Sequence, residues 1–224
     1  SFIASHYGLK DNTIIQNGFN FAYIKPRLTK SELSKKYNLN ESSNWVLGVG
    51  GIIRWKGIEY FIRTAKEFEN NYPSTDFIWI GTKIDNPLDF SIETNALIKK
   101  LNVINLKFIE PNYDIYDFIF HSEIYISCSL DQYGGPESFG RVLIESMYLK
   151  TPVISTNVGG PNNFIINEDN GLLVNPFNTT ELVDAINFYR NNSNTQEIII
   201  QNAYKTAQKY NINKTAQKLS EIII

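Results

Sequence analysis

The sequence predicts an α/β fold built on a doubly wound parallel sheet, and two observations carry that expectation. Short apolar runs alternate with segments of helical length from about residue 45 to residue 190. The runs are also near-continuously hydrophobic, as strands covered on both faces must be. Such an alternation implies right-handed β-α-β crossovers, hence parallel neighbours with helices on both faces.

The elements follow in order. Residues 45–50 (Trp-Val-Leu-Gly-Val-Gly) read as the first strand, closing on Gly50-Gly51, and a helix is expected over 58–70. Strands at 77–81, 106–109 and 124–127 are separated by helices at 92–101 and 115–120. Next comes a helix over 139–149, introduced by the loop residues Gly134-Gly135-Pro136, with Ser138 in an N-cap position. Strands at 153–155 and 172–174 and a helix at 179–190 complete the pattern. Beyond Arg190 the alternation stops, and 194–210 and 213–223 read as two successive helices. Ahead of it, residues 12–16 suit a strand and Asn17-Gly18-Phe19-Asn20 a turn.

Composition narrows the function. The chain has 224 residues, 42% hydrophobic and 20% charged, as an ordinary globular protein does. A net charge of −2 gives no basic field for nucleic acid or an anionic membrane surface. The single cysteine, Cys128, lies in an apolar run and reads as a core thiol. Two histidines far apart, His6 and His121, argue against a zinc site. No run reaches the about 18 apolar residues of a membrane span, which points to a cytoplasmic chain.

Two stretches carry chemistry. Glu137 and Glu145 lie eight residues apart across a loop-to-helix junction. The first turn of a helix presents unpaired N–H groups and a positive dipole end, suited to a diphosphate. Helical side chains lean toward the N-terminus, so Glu145 can point at the same place. Carboxylates kept there gain from accepting hydrogen bonds from sugar hydroxyls. In the second stretch, Gly48-Val49-Gly50-Gly51 lets backbone approach a ligand, and Arg54 and Lys56 supply two cations. It is not a P-loop, because no Gly-Lys-Ser/Thr follows.

Pro136-Glu137-Ser138-Phe139-Gly140, then Glu145-Ser146-Met147, then Thr151-Pro152-Val153 give the chain its family likeness. The stretch resembles the E-x7-E signature of the retaining, nucleotide-sugar-dependent glycosyltransferases of the GT-B fold, family 4 type. The resemblance implies a Rossmann-like domain forming the C-terminal, donor-binding half of a GT-B fold. Residues 1–20 would then end the N-terminal acceptor domain and form the hinge, since Asn17-Gly18-Phe19-Asn20 resembles the family's junction motif with Asn20 in place of Asp. Residues 21–224 would be the nucleotide-sugar-binding domain with its C-terminal helices.

The resemblance also implies roles. Glu137 would stand beside the transferred sugar and Glu145 would accept from the ribose hydroxyls. Backbone N–H groups of Ser138, Phe139 and Gly140 would face the distal phosphate and sugar. The loop containing Gly50 and Gly51 resembles the family's phosphate loop, in which Lys56 matches the lysine. The family's arginine position falls on Gly51, and Arg54 is the residue that could replace its charge. The base would lie near Glu110, where the family often has glycine. Gly159-Gly160 matches a further loop, with Asn163 at its glutamate position. Asp131, Tyr133 and Arg141 border the motif.

The implied donor is a UDP- or GDP-linked hexose, with no cofactor and, lacking an Asp-x-Asp motif, no metal. The implied acceptor is a glycan or lipid-linked sugar in surface-polysaccharide synthesis, held mainly by the other half. Peripheral contact with the inner face of the membrane through that half stays open. Two alternatives remain at this point: another enzyme of the fold, such as a sugar-nucleotide epimerase or a phosphorylase, or a nucleotide-binding module without catalysis. The departures at Gly51, Glu110 and Asn163 keep the second open.

Overall fold

A computed structural model describes residues 17–85 and 87–223. Residues 12–16, which suit a strand by sequence, lie outside the described residues. Six strands form one sheet: β1 (Asn44–Val49), β2 (Thr75–Ile80), β3 (Leu106–Ile109), β4 (Ile124–Ser127), β5 (Val153–Thr156) and β6 (Leu172–Val174). Their order is β3-β2-β1-β4-β5-β6, and every neighbouring pair is parallel. The helices are α1 (Lys30–Tyr37), α2 (Ile58–Asn71), α3 (Ser91–Leu101), α4 (Ile115–His121), α5 (Arg141–Tyr148), α6 (Thr179–Asn191), α7 (Ser193–Gln208) and α8 (Ile212–Ile223). The doubly wound class expected from the alternation is therefore the fold observed.

The two-residue period of the strands sorts their side chains into two cores. Trp45, Leu47, Ile78, Ile80 and Tyr125 enter the layer shared with Leu33 of α1, Phe118 of α4, α5 and α7. Val46, Phe77, Trp79, Ile124 and Ile126 enter the opposite layer, against Ile58, Phe61 and Phe68 of α2 and Leu182 and Ile186 of α6. Coverage thins at the edge strand: Phe108 on β3 is 38% exposed. Strand order reverses between β1 and β4, and in open sheets of this kind ligands bind outside the carboxyl ends at that switch point.

Helix α1 forms behind a capping box in which Thr29 and Glu32 hold each other's backbone N–H. Two local expectations need correction. Helix α5 starts at Arg141 rather than at residue 139, and its N-cap is Gly140 at φ 87°, not Ser138. The Glu137 carboxylate takes the Gly140 N–H, so the chain bends once more before the helix begins. Finally, Phe19 does not sit in a free turn. It donates to Tyr210 and accepts from Ile212, bridging the join between α7 and α8, and its ring is buried.

One loop links sheet and site. After β1, Gly50 donates to Ile80, and the Trp79 indole donates to the Gly50 carbonyl at 2.8 Å. A short 3₁₀ turn, Arg54–Lys56, ends on Gly57 at φ 68°, and Leu130 donates to Trp55 at 2.7 Å. A Cβ at Gly57 would lie 1.9 Å from the Cys128 carbonyl oxygen, so the loop and the end of β4 touch backbone to backbone. Gly57→Ala combines that overlap with a left-handed backbone, and we expect a loss of about 2 kcal/mol or more, read by urea denaturation. A stability equal to wild type would mean that this approach is not needed.

Candidate functional site

At the switch point a cavity of about 270 Å³ opens between the ends of β1 and β4 and the start of α5. Val49, Tyr125 and Ser127 form its floor, and Lys56, Glu137, Ser138, Phe139 and Gly140 its mouth. The strand period explains the floor, because Tyr125 and Ser127 point away from the face that takes Ile124 and Ile126.

Glu137 is the most constrained side chain of the site. One carboxylate oxygen pairs with the Lys56 ammonium, and the other accepts from Gly140 N–H at 3.2 Å. The Glu137 backbone carbonyl accepts from Gly160 N–H at 2.7 Å. A Cβ at Gly159 would approach the Glu137 carbonyl oxygen to 2.4 Å, and one at Gly160 the Ser138 carbonyl oxygen to 2.3 Å. The loop after β5 thus presses directly on the Glu137–Phe139 backbone, which needs both glycines. Lys56 also lies over the Trp55 ring, 4.4 Å from its centroid. Neither partner of the ion pair is more than a fifth exposed, a setting in which losing one leaves the other poorly solvated.

Glu145 lies within α5, about one turn from its start and outside the residues that line the cavity, with its side chain 9% exposed. Burial pushes its carboxyl up to about 7, tempered by the Arg141 guanidinium 3.8 Å away. The Tyr125 phenol is held well above its ordinary value, by burial first and then by the charges of Glu137 and Glu145. Tyr125 therefore stands near both glutamates. Its place at the carboxyl end of a strand next to the switch point is the signal that could have marked it and Ser127 beforehand.

The other expected residues are distributed as follows. Gly50 packs on the Lys56 side chain, where a Cβ would lie 3.3 Å from Cδ, and a Cβ at Gly51 would meet Ile84. Arg54 does not line the cavity. Its guanidinium stacks 3.9 Å from the Tyr133 ring centroid and 5.5 Å from that of Phe90. Glu110 lines a second cavity, of about 360 Å³, at the ends of β2 and β3. Asn163 donates to the Gly160 carbonyl within its own 3₁₀ turn. His121 contacts the Leu28 carbonyl through Nε2, and burial raises the Cys128 thiol to about 12. Among the described residues, no three His, Cys, Asp or Glu side chains gather to hold a metal, and no helix is long and apolar enough to cross a membrane.

The molecule is a doubly wound α/β domain whose switch-point cleft is lined by Lys56, Glu137 and Arg141. Residues 29–206 match the family model described as glycosyl transferases group 1, so the chain belongs to that family. It is 27% identical to the capsular polysaccharide biosynthesis glycosyltransferase CapM of Staphylococcus aureus, over 89% of this chain and 52% of that protein. In structure it resembles Anabaena Alr3699/HepE in complex with UDP-glucose, with a TM-score of 0.83 at 24% identity, over 94% of this chain and 57% of the other. It also resembles the C-terminal domain of the group 1 glycosyl transferase LpcC of Francisella tularensis. That TM-score is 0.72 at 24% identity, over 87% of this chain and 100% of the other. The chain spans about half the length of the curated relatives it matches.

The buried carboxyl gives a stability test. Its ordinary value is 4.5 and its folded value about 7, so between the two the folded chain holds a proton that the unfolded chain has released. Stability attributable to Glu145 therefore falls as pH rises through that window and stays low above it. At about 1.4 kcal/mol per pK unit, Glu145→Gln should be more stable than wild type by about 1–3 kcal/mol at pH 8. The gain should shrink toward zero at pH 4, as read by urea denaturation at both values. A gain independent of pH would mean that the carboxyl is not held protonated by burial.

Proposed function

We propose that the chain is the donor-binding half of a retaining glycosyltransferase. It moves a hexose from a nucleoside-diphosphate sugar to a hydroxyl of a glycan or lipid-linked acceptor in surface-polysaccharide assembly. The observation that carries this reading is the Lys56–Glu137 pair in the lining of the switch-point cleft, with Arg141, the ion-pair partner of Glu145, lining the same cleft. Family membership and the likeness to a capsular polysaccharide glycosyltransferase support it. Residues 1–20 are read as the end of the acceptor domain and its hinge. The enzyme works on the cytoplasmic side, at the inner face of the membrane when the acceptor is lipid-linked.

In this reading the donor diphosphate lies across Lys56 and the N–H groups at the start of α5, and Glu145 accepts from the ribose hydroxyls. Glu137, fixed by Lys56 and Gly140, orients the hexose. The bond between the anomeric carbon and the distal phosphate oxygen breaks as the acceptor oxygen bonds to the same face of that carbon. The acceptor's proton passes to the departing phosphate. Charge grows on the leaving diphosphate during this step, and a cation already in place stabilises it without reorganisation. Lys56 is that cation, so the scheme needs no metal or other cofactor. Arg54, stacked on Tyr133 and Phe90, acts by holding the loop that carries Lys56.

Hydrogen bonds to charged partners contribute about 1.5–3 kcal/mol, so Lys56→Ala should weaken binding of a nucleoside diphosphate about 10- to 100-fold in calorimetry. Unchanged affinity would remove Lys56 from the donor site. Glu145 serves the ribose as a carboxylate, so affinity should rise up to about 10-fold between pH 6 and pH 8, across its value of about 7. Glu145→Gln should flatten that rise, and an equal rise in both proteins would detach Glu145 from the ribose. Retention would appear in proton NMR of the first product as an unchanged anomeric configuration.

A further inference from the structure

The net charge of −2 hides a strong sidedness. Residues 21–40, 141–150 and 200–220 hold more than half of the chain's 21 lysines and arginines, but only Glu32 and Glu145 among its 23 acids. These segments pack together. The Phe21 ring stacks on Tyr148 with 4.0 Å between centroids, Tyr148 lies 5.6 Å from Tyr204, and the Lys150 ammonium sits over Tyr204. A third cavity, of about 490 Å³, opens among them, lined by Phe21, Tyr148, Gln208, Asn211, Asn213 and Lys214. We propose that this cavity holds a stretch of the acceptor glycan behind the residue being extended, and that this glycan carries acidic sugars; the proposal rests on the transfer role given to the Lys56 cleft.

The lining has the chemistry that a sugar ring requires. Among the described residues the side chains of Gln208 and Asn213 make no hydrogen bond. Asn211 uses only its amide oxygen, which accepts from Asn213 N–H at 2.9 Å, so its side-chain N–H groups stay available. Each amide offers donors and an acceptor side by side, matching adjacent hydroxyls of a pyranose. Phe21 and Tyr148 give the cavity an apolar wall for the C–H groups of the ring. The N–H groups at the start of α8 take no part. Ile212 donates to Phe19, and Asn213, Lys214 and Thr215 donate to Asn211. A ligand here is therefore read by side chains.

Charge fixes the class of sugar. Lys214 lines the cavity, and Lys25, Lys150 and Lys209 follow the lining residues Phe21, Tyr148 and Gln208 closely in the chain. All four are exposed, and among the described residues none has an acidic partner within ion-pair distance. Unpaired ammonium groups on one face repel one another, and a carboxylate-bearing sugar relieves that repulsion. Placement suits an acceptor. Arg141, at the start of α5, lines the Lys56 cleft, and Tyr148, at its end, lines this cavity. The length of that helix between them is about 10 Å, a span of about two sugar rings.

Calorimetric titration with tetragalacturonate and with the uncharged maltotetraose tests the proposal. Tetragalacturonate is expected to bind wild type at least about 10-fold more tightly than maltotetraose. Lys214→Glu should weaken it about 10-fold and Asn213→Ala about 3-fold or more, with the melting temperature unchanged. Lys99→Glu, on α3 against the other core, and Lys56→Ala should leave it as it is. No binding of tetragalacturonate, equal binding of maltotetraose, or an equal loss in Lys99→Glu would overturn the proposal. Polyglutamate binding as tightly would show a face that reads charge alone, and binding only to phosphatidylglycerol vesicles a face for a bilayer; either result rejects the glycan. If nucleoside diphosphates bind and tetragalacturonate does not, the donor-site reading stands and this one falls. If tetragalacturonate binds and no nucleoside diphosphate does, the cavity is a glycan site without an acceptor role, and the transfer reading falls.

Discussion

The ion pair between Lys56 and Glu137 joins two loops that the chain brings together from distant places. One follows β1, at the centre of the sheet, and the other precedes α5. Each partner is mostly withdrawn from water, so each depends on the other for its charge to be tolerable there. Everything around the pair serves to hold it. Trp55 lies against the ammonium, Gly140 N–H caps the carboxylate, and Gly160 N–H fixes the backbone from which that carboxylate hangs.

What permits this concentration of charge is the closeness of backbones beneath it. Gly57 meets Cys128, Gly81 meets Gly50, and Gly159 and Gly160 meet Glu137 and Ser138, each at a distance that a methyl group would occupy. The sheet supplies rigidity from below, through two cores sorted by the alternation of its central strands. Rigid support of this kind lets a polar site keep its geometry before anything binds, so that little ordering cost remains at the moment of binding.

Much of this can be read in the sequence, and the exceptions have physical causes. The six strands and the seven helices after residue 45 are legible because central strands covered on both faces must be apolar throughout, and the helices between them have ordinary length. Helix α1 escapes a periodicity argument because it buries only Leu33 and Ser34, although Thr29 and Glu32 spell its cap. Ser138 looks like a cap, but a carboxylate one residue earlier captures the N–H that fixes the turn. Lys56, Glu137, Ser138, Phe139 and Gly140, apart in sequence, line one cavity, which Glu145 does not. Arg54 is indistinguishable from Lys56 as a loop cation until Phe90 and Tyr133, distant in sequence, are seen to stack on it. Tyr125 is hidden by looking like core, which on its buried side it is.

Phe19 has a wider consequence. Its backbone bridges α7 and α8, while its ring lies 6.0 Å from that of Phe139 and 5.6 Å from the guanidinium of Arg141. The entry of the described chain, its last two helices and the glutamate-bearing loop therefore share one aromatic joint. Phe19 thus meets the loop of Glu137 twice, through its own ring and through Tyr210, which accepts from its N–H and packs its ring 5.4 Å from that of Phe139. The segment that leads into the described domain is therefore packed against the loop that carries Glu137.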